Sequence, residues 1–190
     1  MVINRRINKI HMESTLIDRC RLNEQTAYKE LYELFKDRIY STAIRILGDK
    51  LDAEDAVHDI FIKVFRNIHS FRKGSSIMTW IYRIAVNTCL DKLKSKKAGV
   101  KSEDLFIYEE DIPDKITKSP DFSVNQIFEN AIKRLPEGYR TVFILYAIEG
   151  FRHKEIAEIL NISSGTSKSQ YFAARSHLRK YLIPYKEALL

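Results

Sequence analysis

Apolar residues in this chain recur at steps of three and four, and they never alternate at steps of two for long. That regularity restricts the fold to packed helices, since a period near 3.6 puts such residues on one helix face and scatters them over both faces of a strand. Leu31, Leu34, Phe35, Ile39, Ala43, Ile46 and Leu47 form one stripe, closed by Gly48, a residue suited to the left-handed turn after a helix. Val57, Ile60, Phe61, Val64, Phe65 and Ile68 form a second, with Asp52 as its expected N-cap and Asp55 three residues on. After a break at Lys73-Gly74-Ser75-Ser76, a third face carries Ile77, Trp80, Ile81, Ile84, Ala85, Thr88 and Cys89. A weaker amphipathic segment, about 13–22, precedes them. With only 6 Gly and 4 Pro among 190 residues, a turn-rich β architecture is disfavoured. The expected fold class is all-α.

Charge divides the chain in two. Between Arg83 and Lys101 the net charge is +5, and between Ser102 and Asn130 it is −6. The acidic stretch also holds Pro113 and Pro120 and shows no sustained period, so it reads as a flexible linker. The domains expected are a basic arm over 1–13, a helical bundle over 14–97, the acidic linker over 98–122 and a second bundle over 123–183. The second opens with Val124, Ile127, Phe128, Ala131, Ile132 and Leu135, stopped by Pro136, and continues with an apolar helix from Tyr139 to Ile148, ended by Gly150.

The overall charge of +7 suggests an anionic partner. The two cysteines, Cys20 and Cys89, form no C-x-x-C pair, which fits a reducing compartment. No apolar run approaches the ~18 residues that a membrane span requires. The first residues, MVINRRINKIHMES, lack the apolar core of a signal peptide. A cytoplasmic protein without membrane insertion is expected.

The segment RHKEIAEILNISSGTSKSQYFAARSHLRK, residues 152–180, joins two short helical patterns at N-I-S-S. Ile156, Ala157, Ile159 and Leu160 suit an inward face. Asn161 tolerates the left-handed conformation of a tight reversal, Ile162 can plug the space between helices, and Ser163 or Ser164 can cap the next helix. Phe172 and Leu178, with Ala174 or Arg175 between them, are expected to anchor that helix inward. Thr166, Lys168, Ser169, Gln170 and Arg175 remain to face out, hydrogen-bonding or cationic. Such a layout is a helix-turn-helix, whose second helix enters the DNA major groove; an αα-hairpin with a solvated outer face has the same spacing.

Two sets of motifs carry a family resemblance. LPEGYRTVF, EGFRHKEIAEIL and SSGTSKSQYFAARSHLR resemble the C-terminal DNA-binding domain of the extracytoplasmic-function (ECF) group of bacterial RNA polymerase sigma factors. DAEDAVHDIFIKVFRN and SFRKGSSIMTWIYRIAVNTCLD resemble that group's second region. Together they cover roughly residues 14–182. The resemblance implies a protein that directs core polymerase to promoters and opens the duplex locally. It implies that Asp52, Glu54, Asp55 and Asp59 meet the β′ clamp helices, and that the C-terminal domain meets the β flap. Phe71, Ser75, Ser76 and Thr79 are implied in holding a flipped minus-ten base, and Arg83 and Asn87 in meeting a base edge and the backbone, with Lys92, Lys94, Lys96 and Lys97 facing phosphates. Thr166, Lys168, Ser169, Gln170 and Arg175 are implied at the minus-35 element. The acidic linker is expected to thread through polymerase. An anti-sigma factor is an implied partner and could hold the protein at the membrane; otherwise it would associate with the nucleoid.

Three positions depart from the group's pattern. Arg152 stands where a capping Ser or Thr is usual, Ser167 replaces a common Val, and Gln170 replaces a common Arg. A stand-alone helix-turn-helix regulator is the alternative reading. An enzyme is not expected: His11, His58, His69, His153 and His177 are scattered, without a nucleophile or metal-ligand cluster, so neither cofactor nor metal is implied.

Overall fold

In the computed structural model, residues 15–72, 76–99 and 123–188 are described. The basic arm, Ser75 and the linker beyond Gly99 lie outside them. The first bundle comprises α1 (15–21), α2 (Gln25–Leu47), α3 (Lys50–Asn67), a 3-10 turn (Ile68–Ser70) and α4 (Ile77–Gly99). The second comprises α5 (Val124–Lys133), α6 (Glu137–Phe143) continued by a π-helical turn (Ile144–Ile148), α7 (His153–Leu160), α8 (Ser164–Leu182) and a 3-10 turn (Ile183–Ala188). Among the described residues there is no strand. The bundle expected to end at 97 keeps its helix to Gly99, so the boundary expected there falls inside the last turn of α4.

Helices α2, α3 and α4 pack pairwise around Leu31, Phe35, Ile39, Ile46, Ile60, Val64 and Ile81, all buried. Leu34, expected in the α2 stripe, is 52% exposed because Leu31, Phe35 and Ile39 already fill that face. The α2 helix ends as its sequence predicts: Gly48 has φ +78° and its N–H donates to the Ile44 carbonyl at 2.8 Å. A Cβ there would meet nothing within 4 Å, so Gly48→Ala costs only the left-handed backbone strain. That is about 1 kcal/mol, read as a lower urea midpoint at unchanged m-value.

The second bundle packs α5, α6 and α7 against α8 around Ile132, Leu135, Val142, Ile144, Leu145, Ile156 and Leu178. Val124, expected on its apolar face, is exposed at the first turn of α5. The apolar helix starts at Glu137, and its last turn widens, with the Glu149 N–H reaching the Ile144 carbonyl at 3.0 Å before Gly150 reverses the chain at φ +79°.

The two bundles touch. Helix α4 packs on α7, and α2 packs on α5 and α6. The contact explains why Tyr82 and Val86, outside the sequence stripe of α4, are fully buried: the second bundle covers the flank that carries them. The Tyr82 ring meets Phe151 edge-on at 4.8 Å between centroids.

Candidate nucleic-acid interface

The helix-turn-helix is built by local chemistry. Glu155 accepts from the Arg152 N–H at 2.8 Å, opening α7. This is half a capping box: a guanidinium has no acceptor, so Arg152 cannot return the bond that Ser or Thr would make. Asn161 adopts φ 53°, ψ 48°, the left-handed reversal expected of it. The Ser163 hydroxyl then accepts from the Thr166 N–H at 2.9 Å and caps α8.

Helix α8 buries Ser167, Ala174 and Leu178, at steps of seven and four. Ser167 is fully buried and shares a 2.9 Å hydrogen bond with His153 Nδ1, so its hydroxyl ties α7 to α8 where Val would only pack. Burial, and after it the charge of Lys168, hold the His153 imidazole below its ordinary pKa. Its ring stacks on Tyr146 at 4.3 Å and 14°.

The outer face of α8 differs from expectation at two places. Phe172, expected as an inward anchor, is 74% exposed. It stands five residues past Ser167, off the buried face, and Tyr171 takes the inward role beside Phe143 and Tyr146. Phe172 therefore joins Lys168, Arg175 and Arg179, all exposed, in one stripe with steps of four, three and four. Thr166 and Ser169 flank it and are also exposed. Gln170 is half-buried and turned toward α6: a Cβ on Gly138 would lie 3.4 Å from its Nε2.

In the first bundle, the cap of α3 is Asp49, whose carboxylate accepts from the Asp52 N–H at 2.9 Å. Asp52, expected as the cap, lies one turn inside. Its side chain is 15% exposed and engages Lys96 and, at 3.7 Å, Lys92. Those lysines, Lys96 first, hold its pKa below the usual carboxylate range. Glu54 and Asp55 have side chains 51% and 75% exposed, and Asp59 is exposed as well. The open acidic face thus consists of Glu54, Asp55 and Asp59.

The loop expected to hold a base is partly internal. Phe71 is only 8% exposed and packs on Trp80 at 5.6 Å, so its ring belongs to the core; Arg21 donates to its carbonyl. Thr79 is 1% exposed, and Ser76 accepts its N–H at 3.0 Å, which makes this pair the cap of α4. Arg83 and Asn87, one turn apart, are exposed together. Lys94 is 72% exposed, with Asp91 at 3.7 Å. The lysine run does not all face outward to phosphate: Lys92 and Lys96 turn to Asp52, and Lys97 turns to Glu137 of the second bundle at 2.8 Å.

Residues 31–99 match the family Sigma-70 region 2, and residues 125–178 match Sigma-70, region 4. Among curated proteins, the ECF RNA polymerase sigma factor SigW of Bacillus subtilis is 31% identical over 192 residues, covering 96% of this chain and 97% of that one. The RNA polymerase sigma-H factor of Pseudomonas aeruginosa is 29% identical, covering 90% of this chain and 94% of the relative. Among solved structures, the sigma factor RpoE of Bartonella quintana, in complex with the anti-sigma factor NepR, superposes with a TM-score of 0.67 at 25% identity, over 82% of this chain and 96% of that one. CnrH, in complex with the cytosolic domain of CnrY, shares the fold at a TM-score of 0.65 and 18% identity, over 90% and 96%. With both regions in order along one chain and a full-length relative above 30% identity, the chain belongs to the ECF group of RNA polymerase sigma factors.

Proposed function

We propose that this chain directs core RNA polymerase to promoters by reading a minus-35 element with α8 and a minus-ten element with α4, core polymerase supplying the catalysis. The observation that carries this reading is the exposed stripe of Lys168, Phe172, Arg175 and Arg179, with Ser169 beside it, on a helix whose opposite face is locked by Ser167, Ala174 and Leu178. Cations hold phosphates and set register, while Ser169 and Phe172 meet base edges, the Phe172 ring suiting a thymine methyl. On α4, Arg83 and Asn87 face the non-template strand, with Lys94 toward phosphates. Ser76 and Thr79 shape the base-holding loop from beneath, by fixing the start of α4; Thr79 is buried, and Ser76, which is exposed, stays open to the base.

Glu54, Asp55 and Asp59 suit a basic partner, the β′ clamp helices. The cleft of about 300 Å³ lined by Ile127, Ala131, Arg134 and Tyr181 suits the β flap. A larger groove of about 510 Å³ between α2 and α3, floored by Val57, Phe61 and Phe65 and edged by Tyr32 and Lys36, suits a helix of an anti-sigma factor. No described helix is long and apolar enough to cross a membrane. The working place is the cytoplasm, at the nucleoid, with membrane attachment only through such an inhibitor.

Run-off transcription over a library of promoter fragments tests the reading. Core polymerase with the protein is expected to initiate at a defined subset. Phe172→Ala is expected to lower initiation there about 5- to 100-fold, with the loss confined to promoters carrying thymine at one minus-35 position. Lys168→Ala with Arg175→Ala is expected to weaken all promoters alike and to flatten the salt dependence. Stable binding to core without initiation on any fragment overturns the function.

A further inference from the structure

Helix α8 has little apolar grip on its bundle over the half that would read bases. Its buried residues are Ser167, Ala174 and Leu178, and only Ser167 falls in the first two turns. A helix seated on side chains as small as Ser and Ala forfeits few contacts when it turns about its own axis. Packing therefore specifies the rotation of α8 weakly where rotation matters most.

A directional bond takes over that task. Ser167 is fully buried, and a buried hydroxyl needs a partner. It finds one across the motif, His153 Nδ1, at 2.9 Å. A hydroxyl can donate or accept, so the bond holds in either imidazole tautomer. The imidazole is itself clamped. His153 opens α7, its ring stacks on Tyr146 of the π-helical turn at 4.3 Å and 14°, and the Tyr171 ring stands 6.0 Å away at 59°. On the neighbouring flank of α8, Gln170 lies along α6 at Gly138, where a Cβ would come 3.4 Å from its Nε2.

Small rotations have large consequences at the outer face. Turning α8 by about 10° moves a hydroxyl roughly 3–4 Å off the axis by about 0.6 Å, enough to stretch this 2.9 Å bond to the edge of its range. The same turn carries side-chain tips, about 6 Å off the axis, through about 1 Å. Recognition geometry has to be held within about 0.5 Å. The bond and the readout thus tolerate the same small error.

We propose that the His153–Ser167 pair is a positioning element for base readout: it fixes the rotation of α8, and with it the discrimination that Ser169 and Phe172 exercise at the minus-35 element. This rests on the reading of α8 given above. The pair touches no base itself. It acts by deciding which base edge each outward side chain meets.

Two variants of nearly equal shape isolate the hydroxyl. Ser167→Val removes it, Ser167→Thr keeps it, and the Val common in the group shows that a branched side chain fits. Run-off transcription by the holoenzyme, with each base pair placed in turn at every minus-35 position, gives the ratio of preferred to next-best base. Ser167→Val is expected to flatten that ratio about tenfold at the positions read by Ser169 and Phe172, with the salt dependence unchanged because the phosphate contacts stay. Ser167→Thr is expected to hold the ratio within about twofold. His153→Phe keeps a ring against Tyr146 and loses the nitrogen, so it is expected to match Ser167→Val. The double variant is expected to be no flatter than either single one. Should Ser167→Thr fold poorly in thermal melts, His153→Asn, which sets a polar atom near the place of Nδ1, is the second rescue. Amide exchange over residues 164–170 of the free protein reads the tie without DNA, and Ser167→Val is expected to exchange about tenfold faster there than Ser167→Thr. Equal ratios for Val and Thr, additive losses in the double variant, or a uniform loss on all fragments in step with the melts overturns the proposal. An unmodified holoenzyme with no minus-35 preference, in a protein whose exchange still separates Val from Thr, leaves the brace standing and overturns the reading of α8 instead.

Discussion

A chain carrying Asp55→Lys and Asp59→Lys is expected to bind core polymerase about 100-fold more weakly or worse, the scale for reversing charges desolvated at an interface, while melting close to the unmodified protein. The two positions are one turn apart on α3, and both are exposed. Among the described residues Asp55 pairs with Lys92 alone, at 3.3 Å, and a pair with one side chain 75% exposed contributes little to stability. Reversal therefore spares the fold and strikes whatever basic surface docks there. Asp52 gives no such clean test. It is largely covered and holds both Lys92 and Lys96, so its replacement loosens α3 from α4 before any partner arrives. Affinity is measured by anisotropy of a labelled chain titrated with core enzyme, alongside thermal melts. Unchanged affinity would remove α3 as the polymerase-docking face.

What the sequence made legible was local. The left-handed residue at Asn161 and the caps at Ser163 and Gly48 follow from side-chain chemistry acting over three or four residues. The cap of α3 was ambiguous for the same reason: Asp49 and Asp52 each stand three residues before another aspartate, and either satisfies the pattern. The helix starts one turn earlier, and Asp49 becomes the cap. In α8 the phase was hard to read because two of the three fully inward residues, Ser167 and Ala174, carry almost no apolar signal. The most apolar side chain nearby, Phe172, then passed for an anchor, although its spacing from Lys168 and Arg175 places it on the outer stripe.

The largest illegible feature was the contact between the bundles. Glu149 meets partners 67 to 111 positions away, in segments whose own periodicities are complete without it. A residue buried by a second bundle resembles a surface residue to any reading of one helix alone. Tyr82 and Val86 lie outside the sequence stripe of α4 for that reason. Arg83 and Asn87, between and beyond them, are exposed as expected.

Helix α4 thus carries two burdens, and Ile81→Ala separates them. Ile81 is fully buried on a helix that packs against α2, α3 and α7. Truncation there leaves a cavity that its neighbours fill only in part, at a cost of about 3–4 kcal/mol. For a chain of this size that lowers the melting temperature by roughly 10 °C. Ile84→Ala, a turn away on the same sequence stripe but only partly buried, is expected to cost less than about 1.5 kcal/mol. Promoter opening by the Ile81→Ala protein is expected to fail near its lowered melting temperature and to recover on cooling, because the change acts through the population of folded α4. Arg83→Ala is expected to depress opening at every temperature while leaving the melt unchanged, since the residue is exposed. Permanganate footprints of the melted strand, taken at two temperatures beside calorimetric melts, separate the cases. Equal losses for Ile81→Ala and Ile84→Ala would mean that α4 does not have its inner face where the buried residues place it.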